Sequence, residues 1–228
     1  MRYRAIATLC AILCPLACLP APVGKDRVQI TFDYSVAPDL QGWTTKAHDF
    51  IEKWYPVIVK RLAVDGLDAP MKMDVQLNDS DGIGGTGLTH IEFSAKWVRH
   101  HPDDWGAMVF LLAHVAQNYP RYDPPWLVDG VADYVDARVY KDPSRKTAPD
   151  PNSHKYTEGY WVSGAFLVWM EKTYDRHILE HVNEVLRKDD YTPDFWKAYK
   201  GKTLDELWAE YQAWYAANNP KHPNWVAK

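Results

Sequence analysis

Hydrophobic and polar residues alternate over residues 28–34, with Ile30 and Phe32 on one side, and this period of two predicts a strand. Pro38 and Gly42 then punctuate the chain. Over residues 43–63 the period becomes helical: Phe50, Ile51, Trp54, Val57, Ile58 and Leu62 share one broad face. Pro56 lies inside that stretch, and its missing N–H predicts a kink or a split. Met71, Met73, Val75 and Leu77 alternate again, which predicts a second strand over residues 71–77. Residues 78–87 are rich in Asp, Ser and Gly and predict a flexible loop. A third strand is predicted over residues 88–94.

Helices follow. Pro102, Asp103 and Asp104 put proline and acids into a first turn, and the helix they start runs to about Asn118. Its middle, residues 106–116, is nearly all apolar, so it is buried on most sides. Three prolines mark the loop 119–125, and a second helix spans roughly 126–140. Residues 141–154 are polar and proline-bearing, a long surface loop that serves as either a lid or a linker. Four more helices are predicted over 157–174, 176–187, 193–199 and 203–217, with Gly201 as a stop between the last two. There is no internal repeat. Strands first and helices later predict an α+β fold, a small N-terminal sheet packed on helices with a helical C-terminal half.

The N-terminus carries a targeting pattern. Arg2 and Arg4 precede an apolar run over residues 5–19, broken by Pro15, and Leu19-Pro20-Ala21 offers a cleavage site. Residues 1–21 therefore read as a signal peptide, residues 28–217 as a single domain and residues 218–228 as a tail. Export would end outside the cell or in the periplasm. Lipid anchoring at Cys18 and an uncleaved anchor are the alternatives. All three cysteines, Cys10, Cys14 and Cys18, lie in that segment. The body thus has no thiol for a disulfide scaffold, a cysteine-ligated zinc site or a cysteine protease. Removing Arg2 and Arg4 takes the net charge of −4 to about −6, which points away from nucleic acid and anionic membranes as partners. No other segment is long and apolar enough to span a bilayer.

Residues 102–140 read PDDWGAMVFLLAHVAQNYPRYDPPWLVDGVADYVDARVY. This resembles the basic secretory protein family, peptidases of plants and bacteria, with its PDDxGxxxHExxHxxQ and WLxEGIADY motifs. The resemblance continues in Phe32-Asp33-Tyr34-Ser35, Ala37-Pro38-Asp39-Leu40, Trp54-Tyr55-Pro56, Gly159-Tyr160, Phe166-Leu167, Gly201-Lys202-Thr203, Leu207-Trp208 and Tyr211, covering about residues 29–215. It implies a zincin-like fold, similar to thermolysin and the aminopeptidases. In such a site two histidines four apart bind zinc, and the glutamate between them activates the metal-bound water. A glutamate on the next helix is the third ligand.

This chain departs from that pattern. Phe110 stands at the first histidine position and Leu111 at the catalytic glutamate position. His114 keeps the second histidine, Asp129 replaces the third-ligand glutamate, and Asp133 matches a family aspartate that orients the first histidine. The resemblance thus implies a degenerate centre with vestigial ligands His114 and Asp129 and no expected cofactor. His114 would instead pair with Asp129 or Asp133. It also implies peptide binding along the strand centred on Thr89, His90, Ile91 and Glu92, with Tyr160 at the site. A noncatalytic pseudopeptidase that binds a peptide or another extended ligand is the leading expectation. An active zinc peptidase with an aberrant ligand set is the alternative. A carbohydrate- or wall-binding module using Trp126, Trp161 and Trp225 is the third. His90, His100, His101 and His154 have no metal-ligand spacing with His114, and no G-x-S-x-G elbow is present. Gly85-Thr86-Gly87 precedes a strand rather than a helix, so it is no phosphate loop.

Overall fold

The computed structural model describes residues 27–144 and 147–218. Residues 1–21, where a signal peptide is predicted, the three cysteines, Trp225 and all but the first residue of the predicted tail lie outside the described residues. The architecture is α+β. A strand β1 (Gln29–Asp33) leads through a 3-10 turn (Pro38–Leu40) into the long helix α1 (Gln41–Arg61). Strands β2 (Lys72–Asn78), β3 (Gly84–Gly87) and β4 (His90–Ser94) follow, then helices α2 (Ala95–His100), α3 (Trp105–Gln117) and α4 (Pro125–Val135). A π-helical turn, Asp136–Tyr140, extends α4. The C-terminal half is α5 (Tyr160–Thr173), α6 (Ile178–Arg187), α7 (Phe195–Lys200) and α8 (Leu204–Asn218).

The sheet order is β1-β2-β4-β3. β1, β2 and β4 run parallel, with Phe32 opposite Val75 and Val75 opposite Ile91. β3 is antiparallel to β4. Alternation buries Met73, Val75 and Leu77 of β2 with Ile91 and Phe93 of β4 on one face. α3, lined by Met108, Val109, Leu112, Val115 and Ala116, joins that face to α1 and α4 through one continuous apolar cluster.

Three expectations need correction. α1 is not split at Pro56. The proline is exposed, whereas Ile51, Tyr55 and Ile58 are buried on the core-facing side, so packing carries the helix on past it. The end of the predicted loop 78–87 is strand β3, which closes a two-residue hairpin with β4 across Leu88 and Thr89. Its Gly-Gly-Thr-Gly sequence has no alternation to reveal it. The predicted helix from Pro102 begins three residues later: Asp104 is the N-cap, and its carboxylate accepts from the Ala107 N–H at 3.2 Å and from Trp97 Nε1 at 3.0 Å. The short helix α2, capped by Ser94, was not predicted.

α4 and α5 are the most closely packed helices. Glycines make the approach possible: a Cβ at Gly130 would lie 2.7 Å from Ser163 Cβ, and one at Gly164 2.7 Å from Asp133 Cβ. This contact sets the distance between Asp129 and Asp133 on α4 and Tyr160 at the start of α5.

Candidate functional site

The period of α3 puts Phe110, Leu111, His114 and Gln117 towards α4 and β3. Phe110 and His114, one turn apart, meet edge to face with ring centroids at 4.6 Å. Phe110 also lies against Tyr160 at 5.8 Å. Tyr160 follows Gly159 at the start of α5, has φ +47° and is 59% exposed. Leu111 is buried, and its Cδ1 lies 3.2 Å from where a Cβ on Gly84 would sit. The two sequence-predicted positions and Tyr160 thus form one apolar surface.

His114 sits behind that surface in a polar chain. Gln117 Nε2 donates to the Val128 carbonyl at 2.8 Å, so its Oε1 faces His114 Nδ1, also at 2.8 Å. That network assigns the proton to Nδ1. His114 Nε2 is left as a lone pair 3.5 Å from Asp129 Oδ1. The same carboxylate oxygen accepts from the Tyr122 hydroxyl. Burial pushes the His114 pKa down to about 4, against the opposing pull of the Gln117 contact. Burial likewise raises the Asp129 pKa, partly offset by the Tyr122 hydrogen bond. Of the two aspartates expected near His114, the partner is Asp129. Asp133 instead lines the cleft with Phe110 and Leu111.

That cleft has a volume of about 550 Å³, within the range of small-ligand sites. Ile83, Phe110, Leu111, Tyr160 and Trp161 supply its apolar wall, and Asp104, Asp133 and Asp142 its acidic side. A smaller hollow of about 200 Å³ lies beyond His114, between Thr86, Leu88, Tyr119, Arg121 and Tyr122. Strand β3 borders both, through Ile83 and Gly84 at one end and Thr86 and Leu88 at the other.

The strand expected to bind peptide is placed differently. β4 pairs with β2 on one side and β3 on the other, so the backbone of His90, Ile91 and Glu92 is engaged within the sheet. Ile91 is core, His90 and Glu92 approach each other on the exposed face at 3.7 Å, and Thr89 is in the hairpin turn. Among the described residues the free edge beside the cleft belongs to β3.

Across residues 31–211 the chain matches the model of the family described as peptidase of plants and bacteria. The chain belongs to this family. No curated protein and no solved structure matches it.

The zinc centre implied by the peptidase motif does not fit the residues present. A phenyl ring stands at the first ligand position, and Leu111 offers no base. His114 and Asp129 leave two ligand atoms where hydrolytic zinc sites use three and a water. Among the described residues the one group of three His, Asp or Glu with ligand atoms within 4.8 Å of one another is His48, Asp49 and Glu52 on α1, where Arg27 already binds Glu52. The other singled-out histidines are engaged elsewhere: His100 Nδ1 is 2.7 Å from the Lys96 carbonyl, His101 packs on Trp97, and His154 Nδ1 is 2.8 Å from Glu158. Trp126, Trp169 and Trp208 are buried, whereas Trp161 reaches the cleft.

Two residues of this site were missed in the sequence. Gln117 follows His114 by three on one helix, a spacing that brings side chains together, and it is the last residue of the family motif. Tyr122 comes from the proline-rich loop, where no periodicity points to it.

Proposed function

We propose that this member of the plant and bacterial peptidase family is an exported, noncatalytic protein that binds a peptide or another extended ligand in the old cleft. The observation that carries this is the joined apolar surface of Phe110 and Leu111, which occupies the positions of a zinc ligand and the general base. Hydrolysis of an amide needs an activated water, and neither side chain holds or deprotonates one. The cleft itself is open, and the unpaired edge of β3 runs along it. Backbone pairing to a sheet edge needs no metal. Export is supported by Arg2, Arg4 and the apolar run that follows. No helix among the described residues is long and apolar enough to cross a membrane.

The test combines metal content with activity and binding. The purified protein is expected to hold no stoichiometric zinc after incubation with the metal, to leave casein and peptide substrates intact, and to bind members of a diverse peptide library saturably. Stoichiometric zinc, with hydrolysis lost on chelation, would establish an active peptidase with an aberrant ligand set. Sequencing the N-terminus of the protein recovered outside the cytoplasm tests export.

A further inference from the structure

We infer that the cleft selects an extended peptide segment bearing a bulky apolar or aromatic side chain, its backbone paired to Gly84 and Thr86 and that side chain seated on Phe110 and Leu111. This rests on the reading of the cleft as a noncatalytic peptide groove and names what that groove prefers.

The hydrogen-bond phase of the β3–β4 hairpin determines which backbone groups face outward. Gly87 and His90 flank a two-residue turn, and Ser94 N donates to Ile83 O at 2.8 Å at the other end. In an antiparallel pair, bonded and non-bonded residues alternate. Ile83, Gly85 and Gly87 therefore point their N–H and C=O groups at β4. Gly84 and Thr86 point theirs away from it, towards the free edge. An exposed row of this kind is a template for an added strand. Gly84 and Thr86 are themselves exposed, so an arriving backbone can reach this edge.

The side-chain preference follows from what lies beneath that edge. Leu111 touches the Gly84 position, Phe110 is next to it, and Tyr160 and Trp161 continue the wall. Trp161 is held in place by its Nε1 donation to the Thr147 carbonyl at 3.2 Å. A peptide carbonyl turned onto this surface would lose its hydrogen bonds to water and gain none, which is unfavourable. An apolar side chain turned the same way removes its own surface and that of two rings from water. The cleft at about 550 Å³ has room for an indole or phenyl group. The extended backbone, not apolarity alone, makes the ligand a peptide: the outward groups of Gly84 and Thr86 need donors and acceptors at strand spacing.

The experiment uses the purified protein and capped heptapeptides that differ only at the central residue, titrated by fluorescence polarisation. Central Trp or Leu is expected to bind about tenfold tighter or more than central Ala, Glu or Lys. Methylating the peptide amides one at a time is expected to weaken binding at alternate positions only. Phe110→Ala is expected to abolish the preference for Trp. Thr86→Pro, which removes an outward N–H without touching the β3–β4 ladder, is expected to weaken every peptide alike. Folding of both variants is checked by circular dichroism, and the peptide series on the native protein stands without them. Binding that ignores the central residue, or that ignores amide methylation, overturns the inference while leaving a peptide groove. No saturable binding by any peptide, including those of the diverse library, overturns the groove itself.

Discussion

His114 turns the lone pair of Nε2 towards Asp129 Oδ1 at 3.5 Å, an arrangement of two acceptors that calls for a proton or a cation between them. The Gln117 amide, anchored on the Val128 carbonyl, dictates this by claiming the other imidazole nitrogen as donor. Burial raises the Asp129 pKa, so the environment itself favours a proton on that carboxyl group.

A pH dependence follows. The His114 pKa is lowered from 6.5 to about 4 in the folded protein, chiefly by burial. A group depressed on folding gives stability that is complete above its unfolded value and is lost as pH falls through the folded one. The window is therefore pH 6.5 down to about 4, and the loss from this residue is on the order of 3 kcal/mol at most. Asp129 acts in the opposite sense: its raised pKa gives stability that is present in acid and is lost as pH rises. His114→Gln isolates the histidine. The difference in melting temperature between the native protein and this variant should shrink as pH falls from 7 to 4.5, measured by circular dichroism. A difference that stays constant over that range would remove His114 as its source.

The ligand count can be restored. Phe110 and His114 are four apart with ring centroids at 4.6 Å, so a histidine at 110 would stand beside the existing one. Phe110→His with Leu111→Glu and Asp129→Glu should give stoichiometric zinc binding by calorimetry, with the native protein showing none under the same conditions. A folded triple variant with no gain in zinc affinity would show that the scaffold no longer holds the ligand geometry.

What the chain reveals of itself depends on which force places each residue. β2 was legible because Met73, Val75 and Leu77 alternate against a buried face. The α3 positions were legible through the family motif they resemble, and helical spacing then places residues 110 and 114 on one face. β3 has neither signal: three glycines and a threonine are a strand only because β4 pairs with them. The pattern likewise marks residues 88–94 as a strand but says nothing of its neighbours, and β4 lies between β2 and β3, so its edge is not free for a peptide. Tyr122 reaches Asp129 through the path of a proline-bearing loop, a tertiary outcome with no local signature.

The glycines between α4 and α5 give a stability prediction. A methyl group at Gly164 would lie 2.7 Å from Asp133 Cβ and 3.1 Å from its backbone carbon, so the helices must separate. Gly164→Ala should lower the unfolding free energy by about 1–3 kcal/mol. Gly42, also helical, has no heavy atom within 4 Å of its Cβ position. Gly42→Ala should therefore be neutral or slightly stabilising, by up to about 1 kcal/mol. Urea denaturation of both variants checks the contrast. Equal effects would mean that helix propensity, not close approach, governs Gly164.

Arg187 on α6 holds the end of α3 that carries His114 and Gln117. Its Nε donates to the Gln117 carbonyl at 2.7 Å and Nη2 to the Ala116 carbonyl at 2.8 Å. Nη1 reaches the Leu67 carbonyl at 2.7 Å, in the segment between α1 and β2. The first two acceptors lie in the last turn of α3, whose carbonyls have no partner within the helix and whose dipole favours a cation. Arg187 is buried, so a variant leaves those carbonyls without water to replace it. Arg187→Lys keeps the charge but offers a single nitrogen on a shorter reach, and should cost about 2 kcal/mol in urea denaturation. Arg187→Met removes all three donors and should cost about 3 kcal/mol or more. Because the α3 end also sets where Gln117 meets His114, both variants should shift the imidazole 15N resonances of His114. A stability loss without any change in those resonances would confine Arg187 to holding the helix end and free the site from dependence on it.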